Sequence, residues 1–316
     1  MKAVVIEAFG GLDELKLQEM PVPQIQDHEV LIGVEYAAVN PVDWKIREGY
    51  LESALPHEFP LIPGWDASGV ITSVGKHVKN FKAGDLVYAY CRKPTVHGGT
   101  YAEYVALDAA NVAKKPTNIS FAQAAAIPLA GLTAWQALFD FCHLKKGQTI
   151  LIHAGAGGVG GFAIQFAKYA GANVITTCSK NNFDYVKKLG ADHIIDYRKE
   201  DFREAVRKIA KEGVDIAFDT VGGDTLAKSL EVVKKNGTLV TIVQHLGPEY
   251  GAKAQVRTGF VFVRPDGQEL GNIAKLIESG IVLPPEIQEM HLNDAAKAQE
   301  ISKLGHTRGK IVLKIR

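Results

Sequence analysis

The sequence predicts an α/β protein of two domains, a mostly β domain and a doubly wound parallel sheet, and three observations lead there. At 316 residues the chain is longer than a single core usually fills. Its first third is a series of short runs rich in Val, Ile and Tyr, separated by Gly, Pro and Asp turns. From about Ser120, strand-length apolar runs alternate with amphipathic helix-length ones.

In the first region the predicted strands are Lys2 to Glu7, Glu29 to Val39, Gly69 to Val74, Leu86 to Tyr90 and Thr100 to Ala106. A helix is expected from Phe121 to Phe139. The strands Thr149 to His153, Asn173 to Cys178, His193 to Asp196, Val214 to Asp219 and Thr238 to Val243 follow, with helices Asp201 to Lys211 and Asp224 to Lys235 between them. That spacing fits successive right-handed crossovers. Phe260 to Val263 is expected as an edge strand. The tail runs through a helix from about Gln268 to Ser279, the Pro284-Pro285 break, a helix from Ala295 to Leu304 and a closing strand Lys310 to Ile315. The domains expected are 1–119 with 265–316, and 120–264.

Composition excludes several classes. Lys plus Arg number 36 against 35 Asp plus Glu, so no global field draws the chain to nucleic acid or an anionic membrane. No apolar run approaches the roughly 18 residues that span a bilayer. With no targeting segment at the amino terminus, a cytoplasmic protein acting on a small molecule is expected. Cys91, Cys142 and Cys178 lack the paired spacing of structural zinc sites and are expected as buried free thiols. His97 and His153 stand alone, and surface or packing roles are expected of them.

Directly after the strand Thr149 to His153 comes Gly155-Ala156-Gly157-Gly158-Val159-Gly160, and then a helix whose apolar face is Val159, Phe162, Ala163, Phe166, Ala167 and Ala170. The string alone is weak, but strand before and helix after make it a dinucleotide turn of the Rossmann kind. Gly155 permits the tight turn, Gly157 removes a side chain that would block a pyrophosphate, and Gly160 lets helix and strand pack closely. The diphosphate would lie on free N–H groups at the positive helix end. The end of the second strand reads Thr177-Cys178-Ser179-Lys180, without the acid that would hold the ribose 2′-hydroxyl of NAD. A hydroxyl and an ammonium suit a 2′-phosphate, so the cofactor expected is NADPH.

These features, with Ala38-Val39-Asn40-Pro41-Val42-Asp43, Pro63-Gly64-Trp65-Asp66-Ala67-Ser68-Gly69-Val70, Ala83-Gly84-Asp85-Leu86-Val87, Gly98-Gly99-Thr100-Tyr101-Ala102-Glu103-Tyr104, Gly131-Leu132-Thr133-Ala134 and Gly305 to Leu313, resemble the zinc-independent quinone oxidoreductase branch of the medium-chain dehydrogenase/reductase superfamily over the full length. The resemblance implies a chaperonin-10-like (GroES-like) barrel completed by the C-terminal tail, and a cofactor in the cleft beside the Rossmann domain. It implies Gly157, Gly158 and Val159 at the pyrophosphate, Ser179, Lys180 and Tyr197 at the 2′-phosphate, Thr220, Ile242 and Val243 along the adenosine and nicotinamide ribose, and Asn40 and Thr133 near the nicotinamide. Phe262 and Lys310 would complete the wall. Zinc-dependent relatives carry a cysteine near the position of Asn40 and Gly-His-Glu where this chain reads Gly64-Trp65-Asp66. Asp66 alone among these cannot hold a catalytic zinc, so no metal is expected.

Without a Lewis acid, the acceptors expected are those that take hydride readily, quinones or alkenes conjugated to a carbonyl. Asn40 is expected to donate a hydrogen bond to the carbonyl or the nicotinamide amide. Tyr50 is expected at the substrate mouth as a candidate proton donor, its alternative being an exposed loop tyrosine, and Trp65 is expected to shape the pocket. Asp43 serves equally as a substrate contact or a turn cap after Pro41. Two alternatives stay open at this level: a 2-alkenal rather than quinone reductase, and a non-catalytic NADPH-binding protein. The resemblance also implies a homodimer, built through sheet edges near Phe260 to Val263, since an exposed apolar edge is otherwise a liability.

Overall fold

Strand Glu29–Val39 organises the first part of the chain, because its alternation of buried residues changes parity halfway. Val30, Ile32 and Val34 face one core with Ala67, Ile71, Val87 and Leu107, whereas Ala37 and Val39 face another with Val5, Tyr101, Ile311 and Leu313. A register irregularity between Val34 and Tyr36 makes the switch, since one extra residue turns every later side chain to the opposite face. The molecule, described by a computed structural model over residues 1–247 and 249–316, divides into two units: 1–132 with 264–280 and 284–316, and 133–263 with 281–283.

In the first unit the sheet order is Ile287–His291, Lys310–Lys314, Glu29–Val39, Asp66–Val74, Leu86–Tyr90, Val112–Lys114, with Tyr104–Asp108 also pairing on Glu29–Val39. Strand Lys310–Lys314 runs antiparallel to Glu29–Val39 with Ile311 opposite Val39, so the tail does return to complete this sheet. The expected boundary at 119/120 falls earlier than the observed one. Ser120 caps a helix Phe121–Ala125 by accepting from Gln123 N–H. The alanines Ala122, Ala125 and Ala126 pack on Ala38 and Val312, and Ser68 Oγ donates to Phe121 C=O at 2.6 Å. Small residues allow that close seating.

The expected single helix Phe121 to Phe139 is interrupted. It stops at Ala125, restarts as Pro128–Trp135 and passes into a wider turn over Gln136–Phe141. Pro128 supplies no N–H and its ring clashes with a preceding carbonyl, which ends the first helix and begins the second.

The second unit is a six-stranded, wholly parallel sheet in the order His193–Asp196, Asn173–Cys178, Thr149–Ile152, Val214–Asp219, Val233–Thr241, Arg257–Phe260. This is the Rossmann order 3-2-1-4-5-6, which reverses direction of winding beside Thr149–Ile152. Leu151, Ile175, Ile195, Ala217 and Leu239, one from each strand but Arg257–Phe260, share a core with Val206 and Leu226 of the covering helices. The helix expected over Asp224 to Lys235 ends at Ser229, and its last residues instead open strand Val233–Thr241. Val232 and Val233 favour extended backbone, and Val233 pairs with Val214. The edge strand is Arg257–Phe260 rather than Phe260 to Val263, with Phe260 pairing Thr241.

Candidate active site

Because all six strands of the second unit are parallel, their carboxyl ends share one sheet edge, the side on which such sheets bind nucleotides. The glycine turn follows the first of them. Gly155 is buried, and a Cβ there would lie 2.1 Å from Thr176 Oγ1. At Gly160 it would lie 2.3 Å from Ala154 O and 2.8 Å from Gly155 Cα. These two glycines are required by the protein's own packing.

Gly157 differs: its Cβ would meet only Ala154 O, at 3.4 Å. Its φ of −78° is ordinary, so nothing inside the protein demands a glycine. Gly157, Gly158 and Val159 are half-exposed at the N-terminus of helix Gly158–Tyr169, and the ladder begins with Gly161 N–H on Gly157 C=O. The N–H groups before it form a site for negative charge, and the cradle fits a pyrophosphate.

Neighbouring side chains hold this turn. Thr177 C=O accepts from Gly155 N–H at 3.0 Å and Thr177 Oγ1 from Ala154 N–H at 3.2 Å. His153 is buried, with Nδ1 3.1 Å from Thr177 Oγ1 and Nε2 2.9 Å from Ser229 Oγ. Ser229 donates to Thr225 C=O, so Nε2 carries the proton and Nδ1 accepts from Thr177. Burial lowers the imidazole to about 4, against the nearby Asp219 charge that would raise it. His153 is therefore a neutral link.

Thr220 Oγ1 donates to His153 C=O at 2.8 Å. Asp219, a residue the sequence reading passed over, is fully buried and accepts from Thr241 Oγ1 at 2.7 Å and from the N–H groups of Val221 and Gly222 at 3.0 to 3.1 Å. It ties the loop after the fourth strand to the end of the fifth, where Ile242 and Val243 are half-buried. Phe262 is exposed and stacks on Phe260 with ring centroids 6.3 Å apart.

At the ends of the second and third strands, Cys178 and Asp196 are level in register. Ser179 is half-buried, Lys180 exposed, and Tyr197 48% exposed beside them in the fold. Asp196 is buried and turned into its own loop, accepting from Arg198 N–H at 3.1 Å. The Arg198 guanidinium lies 5.7 Å from the Tyr197 ring centroid. Arg198 was missed in the sequence; its signal is only its place one residue after Tyr197.

The first unit holds a buried polar cluster. Asn40 precedes helix Pro41–Arg47, whose first turn is closed by Asp43 Oδ2 accepting from Asn40 N–H at 2.8 Å. The Asn40 side chain, 1% exposed, goes elsewhere. Its Nδ2 donates to Asp66 Oδ2 at 2.9 Å, and its Oδ1 accepts a short hydrogen bond from Lys310 Nζ. Lys310, 5% exposed, also donates to Val39 C=O at 2.9 Å and stands 3.9 Å from Asp66. Asp66 Oδ1 accepts from Leu129 N–H at 2.8 Å, in the first turn of helix Pro128–Trp135, the helix that carries the buried Thr133.

Burial is the main cause of each shift in this cluster. It raises Asp43 to about 7 and Asp66 to about 6, the second held down by Lys310 and the Asn40 hydrogen bond. It lowers Lys310, opposed by the charges of Asp66 and Asp43. Asp43 is a turn cap fully inside the protein, which favours the second of the two roles expected of it. Trp65 is buried edge-on to Tyr90 at 6.0 Å, whereas Tyr50 is 67% exposed and edge-on to Trp44 at 5.7 Å.

A zinc does not fit this cluster. Asp66 has its oxygens committed and a lysine ammonium beside it, and among the described residues no three His, Cys, Asp or Glu side chains are placed to hold a metal.

Comparison with known proteins agrees with this geometry. Residues 26–117 match the family model described as alcohol dehydrogenase GroES-like domain, and residues 189–313 the one described as zinc-binding dehydrogenase. The chain is 38% identical, over 99% of its length and 79% of the other's, to the chloroplastic NADPH-dependent alkenal/one oxidoreductase of Arabidopsis thaliana. Its structure matches that of a quinone oxidoreductase from Coxiella burnetii at 37% identity and a TM-score of 0.90, covering 100% of this chain and 99% of that one. A quinone oxidoreductase from Escherichia coli, complexed with NADPH, matches at 28% identity and a TM-score of 0.89 over 100% of both.

Proposed function

The chain belongs to the zinc-independent quinone oxidoreductase branch of the medium-chain dehydrogenase/reductase superfamily, and from that premise we propose that it reduces quinones or α,β-unsaturated carbonyl compounds with NADPH and without a metal. The observation that carries this reading is the alignment of candidate residues on one sheet edge. Gly155 to Gly160, Ser179 with Lys180, Tyr197, Thr220, Ile242 with Val243, and Phe262 each follow the carboxyl end of one of the six parallel strands.

Bound NADPH would supply a hydride to an electrophilic carbon of the acceptor. The chain's own residues do the rest. Free N–H groups at Gly158 and Val159 hold the pyrophosphate, and Ser179, Lys180, Tyr197 and Arg198 meet the 2′-phosphate. Asn40 presents its remaining amide N–H to the nicotinamide amide or the acceptor carbonyl while Lys310 holds its carbonyl oxygen, and Thr133 is the other residue assigned to the nicotinamide. Trp65 shapes the acceptor pocket and Tyr50 lines its mouth, where solvent reaches the same place and can deliver the proton. Conjugation in the acceptor substitutes for the polarisation that a metal would give.

The acceptor class is tested by following NADPH oxidation against matched series of quinones and 2-alkenals. Turnover with either series supports the reading and names its branch. Turnover with neither, despite tight NADPH binding, would move the protein to a non-catalytic nucleotide-binding role.

A homodimer through the edge strand Arg257–Phe260 is part of the proposal, since this strand ends the sheet, with the half-buried Phe260 at its end and the exposed Phe262 just beyond it. Sedimentation tests it. A cytoplasmic, reducing compartment is supported by three buried free thiols, Cys91, Cys142 and Cys178. No helix among the described residues is long and apolar enough to cross a membrane.

A further inference from the structure

We propose that Asp66 is a positioning residue for the reduction, fixing through its carboxylate the direction in which the Asn40 amide faces. The inference rests on the reading above, in which Asn40 addresses the nicotinamide or the acceptor. A buried amide has two orientations of nearly equal shape, and only its partners decide between them. Here the choice is forced from both sides. Lys310 Nζ can only donate, so it must face the Asn40 carbonyl oxygen, and the Asp66 carboxylate can only accept, so it must face the Asn40 NH2. The reversed amide would set N–H groups against an ammonium and an oxygen against a carboxylate. One Asn40 N–H is thereby used, and the other has a single allowed direction.

Asp66 is itself anchored. Its second oxygen accepts from Leu129 N–H at the positive end of helix Pro128–Trp135, and its side chain is fully buried. The charged and titratable groups that face it are Lys310, Asp43, Tyr90, Cys91 and Tyr101. Of these, Lys310 is the one that favours the ionised carboxyl. Protonation of Asp66 adds a donor to the group and removes the counter-charge of Lys310, so the amide loses the partner that defines it. An acid limb in turnover, near pH 6, is therefore expected to belong to Asp66.

The experiment compares the wild-type protein with Asp66→Asn, Asn40→Ala, their double variant and Lys310→Gln, measuring kcat against pH and NADPH affinity by fluorescence. Asp66→Asn is expected to lower kcat by about a hundredfold while leaving NADPH affinity close to wild type, and to abolish the acid limb. The double variant is expected to lose no more than Asn40→Ala alone, because Asp66 acts through Asn40. Lys310→Gln removes the charge that favours the carboxylate, so its acid limb should move to higher pH, a readout that stands even where Asp66→Asn fails to fold. A wild-type kcat and pH profile in Asp66→Asn, additive losses in the double variant, or an unmoved limb in Lys310→Gln would each overturn the inference. Unchanged kcat in Asn40→Ala would instead overturn the role given to Asn40, and so separates that failure from this one.

Discussion

The phenol of Tyr101 donates to Asp43 Oδ2 at 2.9 Å across 58 residues of sequence, and both side chains are wholly buried. The same oxygen accepts the Asn40 N–H. Two donors do not offset the loss of water around the charge, so burial leaves the carboxyl raised to about 7.

The sign of the stability effect follows. With a folded pKa near 7 and an unfolded one near 3.9, the native state binds the proton more tightly. Asp43 therefore costs nothing below the unfolded value, costs progressively more as pH rises between the two, and carries its full cost above about 7. Asp43→Asn keeps an acceptor for Asn40 and Tyr101 without the charge. Its melting temperature relative to wild type should rise steadily from pH 4 to pH 8 in calorimetry. A difference independent of pH would contradict the shift.

The glycine turn separates packing from binding. Gly160→Ala places a Cβ 2.3 Å from Ala154 O and should destabilise the protein by about 1–3 kcal/mol. Gly157→Val meets no such obstacle inside the protein. It should melt near the wild-type temperature while NADPH affinity falls by more than about tenfold. Loss of stability in Gly157→Val with affinity retained would place the glycine's role in the fold instead.

Cofactor choice should rest on the ends of the second and third strands. Lys180→Ala is expected to weaken NADPH by about tenfold or more and to leave NADH unaffected, with Arg198→Ala smaller in the same direction. Ser179→Asp adds the acid that holds a ribose hydroxyl and should turn preference toward NADH. Titrations of both cofactors at two ionic strengths check this, because the phosphate contact alone weakens with salt.

Tyr50 is exposed, and an exposed hydroxyl shares its position with water. Tyr50→Phe should therefore keep kcat within about twofold. A large fall in kcat with an altered pH profile would restore a proton-donor role to its phenol.

Much of this was legible in the sequence. Periodicity placed Asn173–Cys178, His193–Asp196 and Val214–Asp219 at their observed bounds, and the glycine spacing separated positions 155 and 160, where a Cβ would clash inside the protein, from position 157, where it would not. What escaped depends on long-range contacts. Residues Val232 and Val233 continue a helical pattern locally, and only the pairing of Val233 with Val214 opens a strand there. Asp66 read as the residue left over from a lost metal site. Its partners Asn40 and Lys310 lie 26 and 244 positions away, from the difference of their numbers, and no spacing rule joins them. Asp219 looked like an ordinary strand end until Thr241 and two backbone N–H groups converged on it.

The most direct test is the rate of NADPH oxidation, against that of NADH, by the purified protein with quinone and 2-alkenal acceptors in the presence of a strong chelator. The account predicts chelator-resistant turnover that favours NADPH. Turnover abolished by the chelator and restored by zinc, or an equal preference for NADH, would contradict it.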